Sequence, residues 1–92
     1  MTDKEKRDTA IDTFASAIKL RLDEQAGKGY TGWDGAYSYY VLCDEIAGDA
    51  VAASQCRTDQ CGRYAVDIGA RAMMLHFRAG GNKAHDGTGG GI

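Results

Sequence analysis

The chain is predicted to be all-α, a small three-helix bundle, on three observations. None of its 92 residues is proline, so long segments are free to remain helical. Apolar residues recur at i, i+3, i+4, i+7 spacing in three separate stretches, the period of one helical face. Glycine-rich or polar breaks lie between and after those stretches, where helices end and turns form.

The first helix is expected from about Thr2 or Asp3 to Gln25, with Ile11, Phe14, Ala15, Ile18 and Leu22 on one face. Asp3 and Asp8 suit the positive end of its macrodipole, and Gly27 offers a C-terminal stop. Asp12, Lys19, Asp23 and Glu24 fall on the opposite, solvated side. Gly27 to Gly35 then holds four glycines interleaved with Tyr30 and Trp33. Glycine permits positive φ and close backbone approach, and the aromatics add large apolar bodies with polar tips, so this stretch reads as a shaped corner.

The second helix is expected to start near Asp34 or Ala36 and run to Ala53, with Tyr37, Tyr40, Val41 and Cys43 to Ile46 turned inward. Gly48 interrupts it, and a mid-helix glycine costs roughly 1 kcal/mol against alanine, so a bend or stop is expected there, with Ala50 to Ala53 as a separate turn. Ser54 to Gly62 reads as a polar turn. The third helix spans about Arg63 to Phe77, with Ala65, Ile68, Ala72, Leu75 and His76 along one face, Tyr64 and Arg71 beside it, and Met73 and Met74 widening it. Gly69, Ala70 and Ala72 are small enough for close helix packing, and Gly80-Gly81 ends the segment. Residues 1–79 thus form one domain. Residues 80–92, with six glycines and almost nothing apolar, are expected to be a disordered tail unless a partner holds them.

A domain of this size buries a thin core and reaches a stability of roughly 5 kcal/mol, so a protein partner, a ligand or homo-oligomerisation is expected to contribute. No apolar run approaches the roughly twenty residues of a membrane span, and the charged start Met1 to Asp8 lacks a signal-like apolar core, which predicts a cytoplasmic, intracellular protein. Three cysteines, Cys43, Cys56 and Cys61, read as reduced thiols. Their spacing, with only His76 and His85 to add, is a poor match to zinc, and no Cys-x-x-Cys redox motif is present. Residues 1–50 carry ten acids against six bases and residues 51–92 three against five. An acidic surface of this kind disfavours nucleic acid as a partner. Arg57, Arg71 and Arg78 could share a face and pair with acids of another helix or chain.

Two residue sets carry possible function. Tyr30, Trp33, Tyr37 and Tyr39 would supply aromatic anchors for a protein partner. Trp33 and Tyr40 equally suit closing the bundle, and Tyr39, directed away from Tyr37 and Tyr40, is the better candidate for exposure. The second set is carboxylates: Asp44 and Glu45 are adjacent, Asp49 follows Glu45 by one helical turn, and Asp67 sits inside the apolar stretch Ala65 to Ala70. Oxygen donors of this kind hold Mg²⁺. They also suit a solvated face, with Asp67 held by Arg63 or Arg71.

At these residues the chain resembles small phage-encoded proteins related to the MazG-type all-α nucleotide pyrophosphohydrolases. The resemblance covers about Phe14 to Arg78. It rests on the Lys-Gly-Tyr-x-Gly-Trp-Asp corner, Lys28 to Asp34, and on Val66-Asp67-Ile68-Gly69-Ala70-Arg71-Ala72-Met73-Met74-Leu75. It implies a helical architecture, a phage or prophage setting, and Mg²⁺ held by acids on two helices around a nucleoside triphosphate. Asp44, Glu45, Asp49 and Asp67 would then be the metal ligands, with Lys19, Lys28 or Arg71 contacting phosphates. Gly48 stands four residues after Asp44, where the enzymes carry an acid, and Tyr64 replaces the first acid of their second set. The function expected first is therefore a non-catalytic binding protein without cofactor, an accessory or host-interaction protein of a mobile element, including an inhibitor of a host defence such as CRISPR. A Mg²⁺-dependent pyrophosphohydrolase is the alternative.

Overall fold

The computed structural model describes residues 1–30, 32–35 and 38–81. Among them the chain forms three helices and no strand: α1 (Asp3–Gly27), α2 (Tyr39–Gln55) and α3 (Thr58–His76), the last running into a π-helical turn over Phe77–Gly81. The all-α, three-helix expectation is met. The expected tail beyond Gly81 and the expected anchor Tyr37 lie outside the described residues.

Local chemistry sets each boundary. Thr2 caps α1: its hydroxyl accepts from Glu5 N (3.1 Å) while Glu5 Oε1 accepts from Thr2 N (3.2 Å), satisfying two N-terminal donors at once. The helix runs to Gly27, two residues past the expected Gln25, because the positive-φ residue that ends it stands just beyond the C-cap Lys28. That residue is Gly29 (φ 93°), with Gly29 N donating to Ala26 O and Tyr30 N to Gln25 O, both 3.0 Å. Gly32 to Gly35 closes the next turn. α2 then begins at Tyr39 rather than near Asp34 or Ala36, since Ser38 Oγ is the group that accepts from Val41 N (3.2 Å).

α2 runs unbroken through Gly48 to Gln55, so Ala50 to Ala53 is helix and not a separate turn. The glycine's propensity cost is outweighed by anchoring on both sides: Glu45 and Asp49 pair with Arg71 of α3, and Cys61 Sγ donates to Ala53 O (3.3 Å). The inward face also differs from the expected one. Leu42 is buried at 1% exposure, with Glu45, Ile46, Asp49, Ala52 and Ala53 half-buried on its side, whereas Tyr40 is 88% exposed and Val41 and Cys43 face solvent. Two acids stand on the core side, which shifts the apparent hydrophobic stripe.

α3 begins at Thr58, before the expected Arg63, and only Cys56 and Arg57 turn the chain. Ala70 and Met74 are its buried residues, while Ala65, Ala72 and His76 of the expected face are exposed. The reason is position: α3 is central and packs on both α1 and α2, which do not pack on each other among the described residues. α1 crosses α3 at Gly69, where an added Cβ would come within 2.7 Å of Phe14 Cε2 and 2.9 Å of Ile18 Cδ1. That is the close approach expected of the small residues. Gly80 (φ 103°) ends the segment.

The core is thin. Leu42, Ala70 and Met74 are its buried apolar residues among those described, Leu42 alone completely so, and α1 buries none. All three cysteines are free, Cys43 exposed and Cys56 and Cys61 half-buried. No helix among the described residues is long and apolar enough to cross a membrane.

Candidate functional site

Because the backbones of α1 and α2 flank α3 without packing on each other among the described residues, a cleft of about 540 Å³ opens between them. Its floor is α3, where Ala70 and Met74 give an apolar surface beside Asp67 and Arg71. Arg21, Leu22 and Gln25 of α1 form one wall and Glu45 of α2 stands on the other. Tyr30 and Trp33 of the glycine-rich corner close one end. Trp33 is held there by Phe77, whose ring meets it edge-on at 5.1 Å and 69°.

Two arginines organise the charges. Arg71 Nε lies 2.6 Å from Glu45 Oε2, and its Nη1 pairs with Asp49 Oδ2, so one guanidinium bridges two acids one turn apart on α2. Arg21 Nε lies 2.9 Å from Asp67 Oδ1, which ties α1 to α3. Arg21 also approaches Glu24 (3.7 Å), and the Gln25 side-chain amide lies against its two terminal nitrogens. These pairs are partly screened from water, where charge-assisted bonds are stronger than at an open surface.

The expected metal set is therefore divided. Glu45 and Asp49 are held by Arg71, Asp67 by Arg21, and Asp44 is exposed without an ion-pair partner among the described residues. No group of three His, Cys, Asp or Glu side chains among the described residues converges to hold a metal ion. The donor set does not fit Mg²⁺, since Glu45 and Asp49 gather on Arg71, Asp67 on Arg21, and Asp44 stands apart, so the oxygens do not meet at one point. A solvated face for Glu45 and Asp49 is corrected as well: both are drawn toward α3. Asp67 is held by an arginine, but by Arg21 rather than Arg63 or Arg71.

No family model, curated protein or solved structure matches the chain.

Of the expected phosphate contacts, Lys19 and Lys28 are exposed and do not line the cleft, and Arg71 does so with its charge engaged by two carboxylates. Of the aromatic set, Tyr30 and Trp33 reach the cleft and remain exposed. Tyr39 stands apart with Arg78 stacked on its ring at 5.1 Å, and Tyr40 is the more exposed of the two, which reverses the expected order. Arg57 pairs loosely with Asp59 (3.9 Å) at the surface. Arg21 was not among the candidate residues, although a signal was present. It sits inside the α1 stripe, three after Ile18 and seven after Phe14, as Asp67 sits inside the α3 stripe. Opposite charges on two apolar faces mark an inter-helix pair.

Proposed function

We propose that this chain is a non-catalytic binding protein that acts through the α1/α2 cleft and the aromatic corner beside it. One observation carries the reading: the carboxylates suited to a divalent ion are divided between Arg71 and Arg21, and no three of them converge among the described residues. Exposed Tyr30 and Trp33 at the mouth of the cleft give the aromatic surface a protein contact uses. Self-association is a second contact in keeping with the thin core, as Ile11, Phe14 and Leu20 of α1 are exposed. The setting we propose, an accessory or host-interaction protein of a phage or other mobile element working in the cytoplasm, including as an inhibitor of a host defence such as CRISPR, rests on the MazG-type resemblance alone.

The alternative, a Mg²⁺-dependent nucleoside-triphosphate pyrophosphohydrolase, draws support from Glu45, Asp67 and Arg71 lining a single cleft. Incubating the purified chain with Mg²⁺ and a panel of nucleoside triphosphates, beside an Asp67→Asn variant, separates the two. The binding reading expects the same background from both proteins. Turnover by the wild type that the variant loses would replace it with the enzymatic one.

A further inference from the structure

We infer that the α1/α2 cleft accepts a basic side chain, arginine or lysine, presented by an exposed segment of a partner protein. This rests on the binding reading above and names what that site recognises.

The first support is an imbalance of charge. Arg71 faces two carboxylates, Glu45 and Asp49, and Arg21 faces two, Asp67 and Glu24. Asp23 lines the same cleft without an ion-pair partner among the described residues. Each guanidinium is over-neutralised, and the excess negative charge has no internal cation to meet it. The acceptor geometry agrees: the bonds to Arg71 and Arg21 use Glu45 Oε2 and Asp67 Oδ1. Glu45 Oε1 and Asp67 Oδ2 keep their lone pairs free of donors from the described residues, on two side chains that line the cleft.

The second support is the shape of the remaining surface. Leu22, Ala70 and Met74 give an apolar strip suited to the aliphatic stem of a long basic side chain. Tyr30 and Trp33 stand at one end, and the ring held against Phe77 offers a fixed π-face for a cation. Phosphate or a nucleotide fits this surface poorly, since every cation lining it is already paired with acids. An acidic peptide fails for the same reason.

Trp33 is the chain's single tryptophan, so its fluorescence reports on the cleft directly. Short peptides carrying one arginine, one lysine, one citrulline or one glutamate between glycines, together with free arginine and ATP, are titrated against the full chain at low and high salt. The arginine and lysine peptides should change the Trp33 emission and shift amide signals of Ala70, Arg71 and Met74. Citrulline, which keeps the shape and loses the charge, should bind about tenfold more weakly, and binding should weaken as salt rises. Asp23→Lys, at an exposed position, should reduce arginine-peptide binding by about tenfold while the melting curve is unchanged. Equal binding of citrulline and arginine peptides, or a response to ATP or the glutamate peptide in their place, overturns the inference. Free arginine binding as tightly as the peptide overturns the peptide source in favour of a small-molecule cation. Absence of any cation response while the nucleotide panel stays uncleaved overturns this inference alone, whereas nucleotide turnover overturns the binding reading with it.

Discussion

Replacing Arg71 with methionine tests the electrostatic core of the fold, because methionine keeps the apolar stem on α3 and removes only the bridging charge. The guanidinium side chain is 29% exposed, and its partners Glu45 and Asp49 are 42% and 22% exposed. An open surface pair is worth roughly 0–1 kcal/mol, and breaking a fully buried one costs roughly 3–5 kcal/mol. At intermediate exposure, about 1 kcal/mol for the Glu45 contact and about 1.5 kcal/mol for the Asp49 contact are reasonable. Two acids left facing each other at i, i+4 add a few tenths more. Arg71→Met should therefore cost about 2.5 kcal/mol, close to half the stability of a domain this small, and lower the melting midpoint by roughly 10–20 °C. Far-UV circular dichroism melts measure it. High salt should narrow the gap by screening the orphaned acids. The triple variant Glu45→Gln, Asp49→Asn, Arg71→Met, which strands no charge, should recover most of the loss. A single variant melting within about 2 °C of the wild type, or a triple variant no better than the single, would refute the claim that this bridge joins α2 to α3.

Leu42→Ala should cost about 3 kcal/mol by opening a cavity at the largest fully buried side chain, read as loss of a cooperative urea transition. Gly69→Ala should reverse sign with context: destabilising in the wild type, where the new methyl meets Phe14 and Ile18, and stabilising by about 0.5–1 kcal/mol in a Phe14→Ala, Ile18→Val background, where both contacts are gone, through helix propensity. Equal effects in both backgrounds would sink the crossing-point argument. Tyr40→Ala should leave the melt unchanged, whereas Tyr39→Ala should lower stability by about 1 kcal/mol as the Arg78 stack is lost; the opposite order would contradict the α2 register.

The number and order of helices could be read from the residues because periodicity, the absence of proline and the glycine stops are local. Gly80 ends the third segment where it was expected, since a positive-φ residue past a helix is a purely local demand. The inward faces could not be read in the same way. On α2 the side toward α3 carries Asp49 as well as Glu45 and Ile46, and an acid so placed is invisible to a hydrophobic pattern, which favours Tyr40 and Val41 instead. Their partner, Arg71, lies 22 residues beyond Asp49, and Asp67 meets Arg21 across 46 residues. Pairings at that distance leave only a weak trace, a charge placed inside an apolar stripe. For the same reason the four acids read in sequence as a candidate metal cluster, although Arg71 gathers Glu45 and Asp49 and Arg21 holds Asp67 apart from them.

These pairings also determine which helix lets go first. α2 and α3 are joined by the Arg71 bridge, by the Cys61 thiol on Ala53 O and by the burial of Leu42, whereas α1 buries no residue and is held chiefly by Phe14 and Ile18 at Gly69 and by the Arg21–Asp67 pair. Local stability follows buried apolar contact, so α1 should open at lower free energy than the α2–α3 hairpin. Hydrogen exchange in increasing urea should show the amides of Ala15 to Leu22 losing protection before those of Ile68 to Met74. Arg21→Met should widen that gap without moving the α3 amides, because it cuts a tie that only α1 makes. If both helices exchange together in the wild type and in Arg21→Met, α1 belongs to the same cooperative unit as α3. A cleft walled by the less stable helix gains order when filled, so any ligand it binds should slow exchange in α1 first.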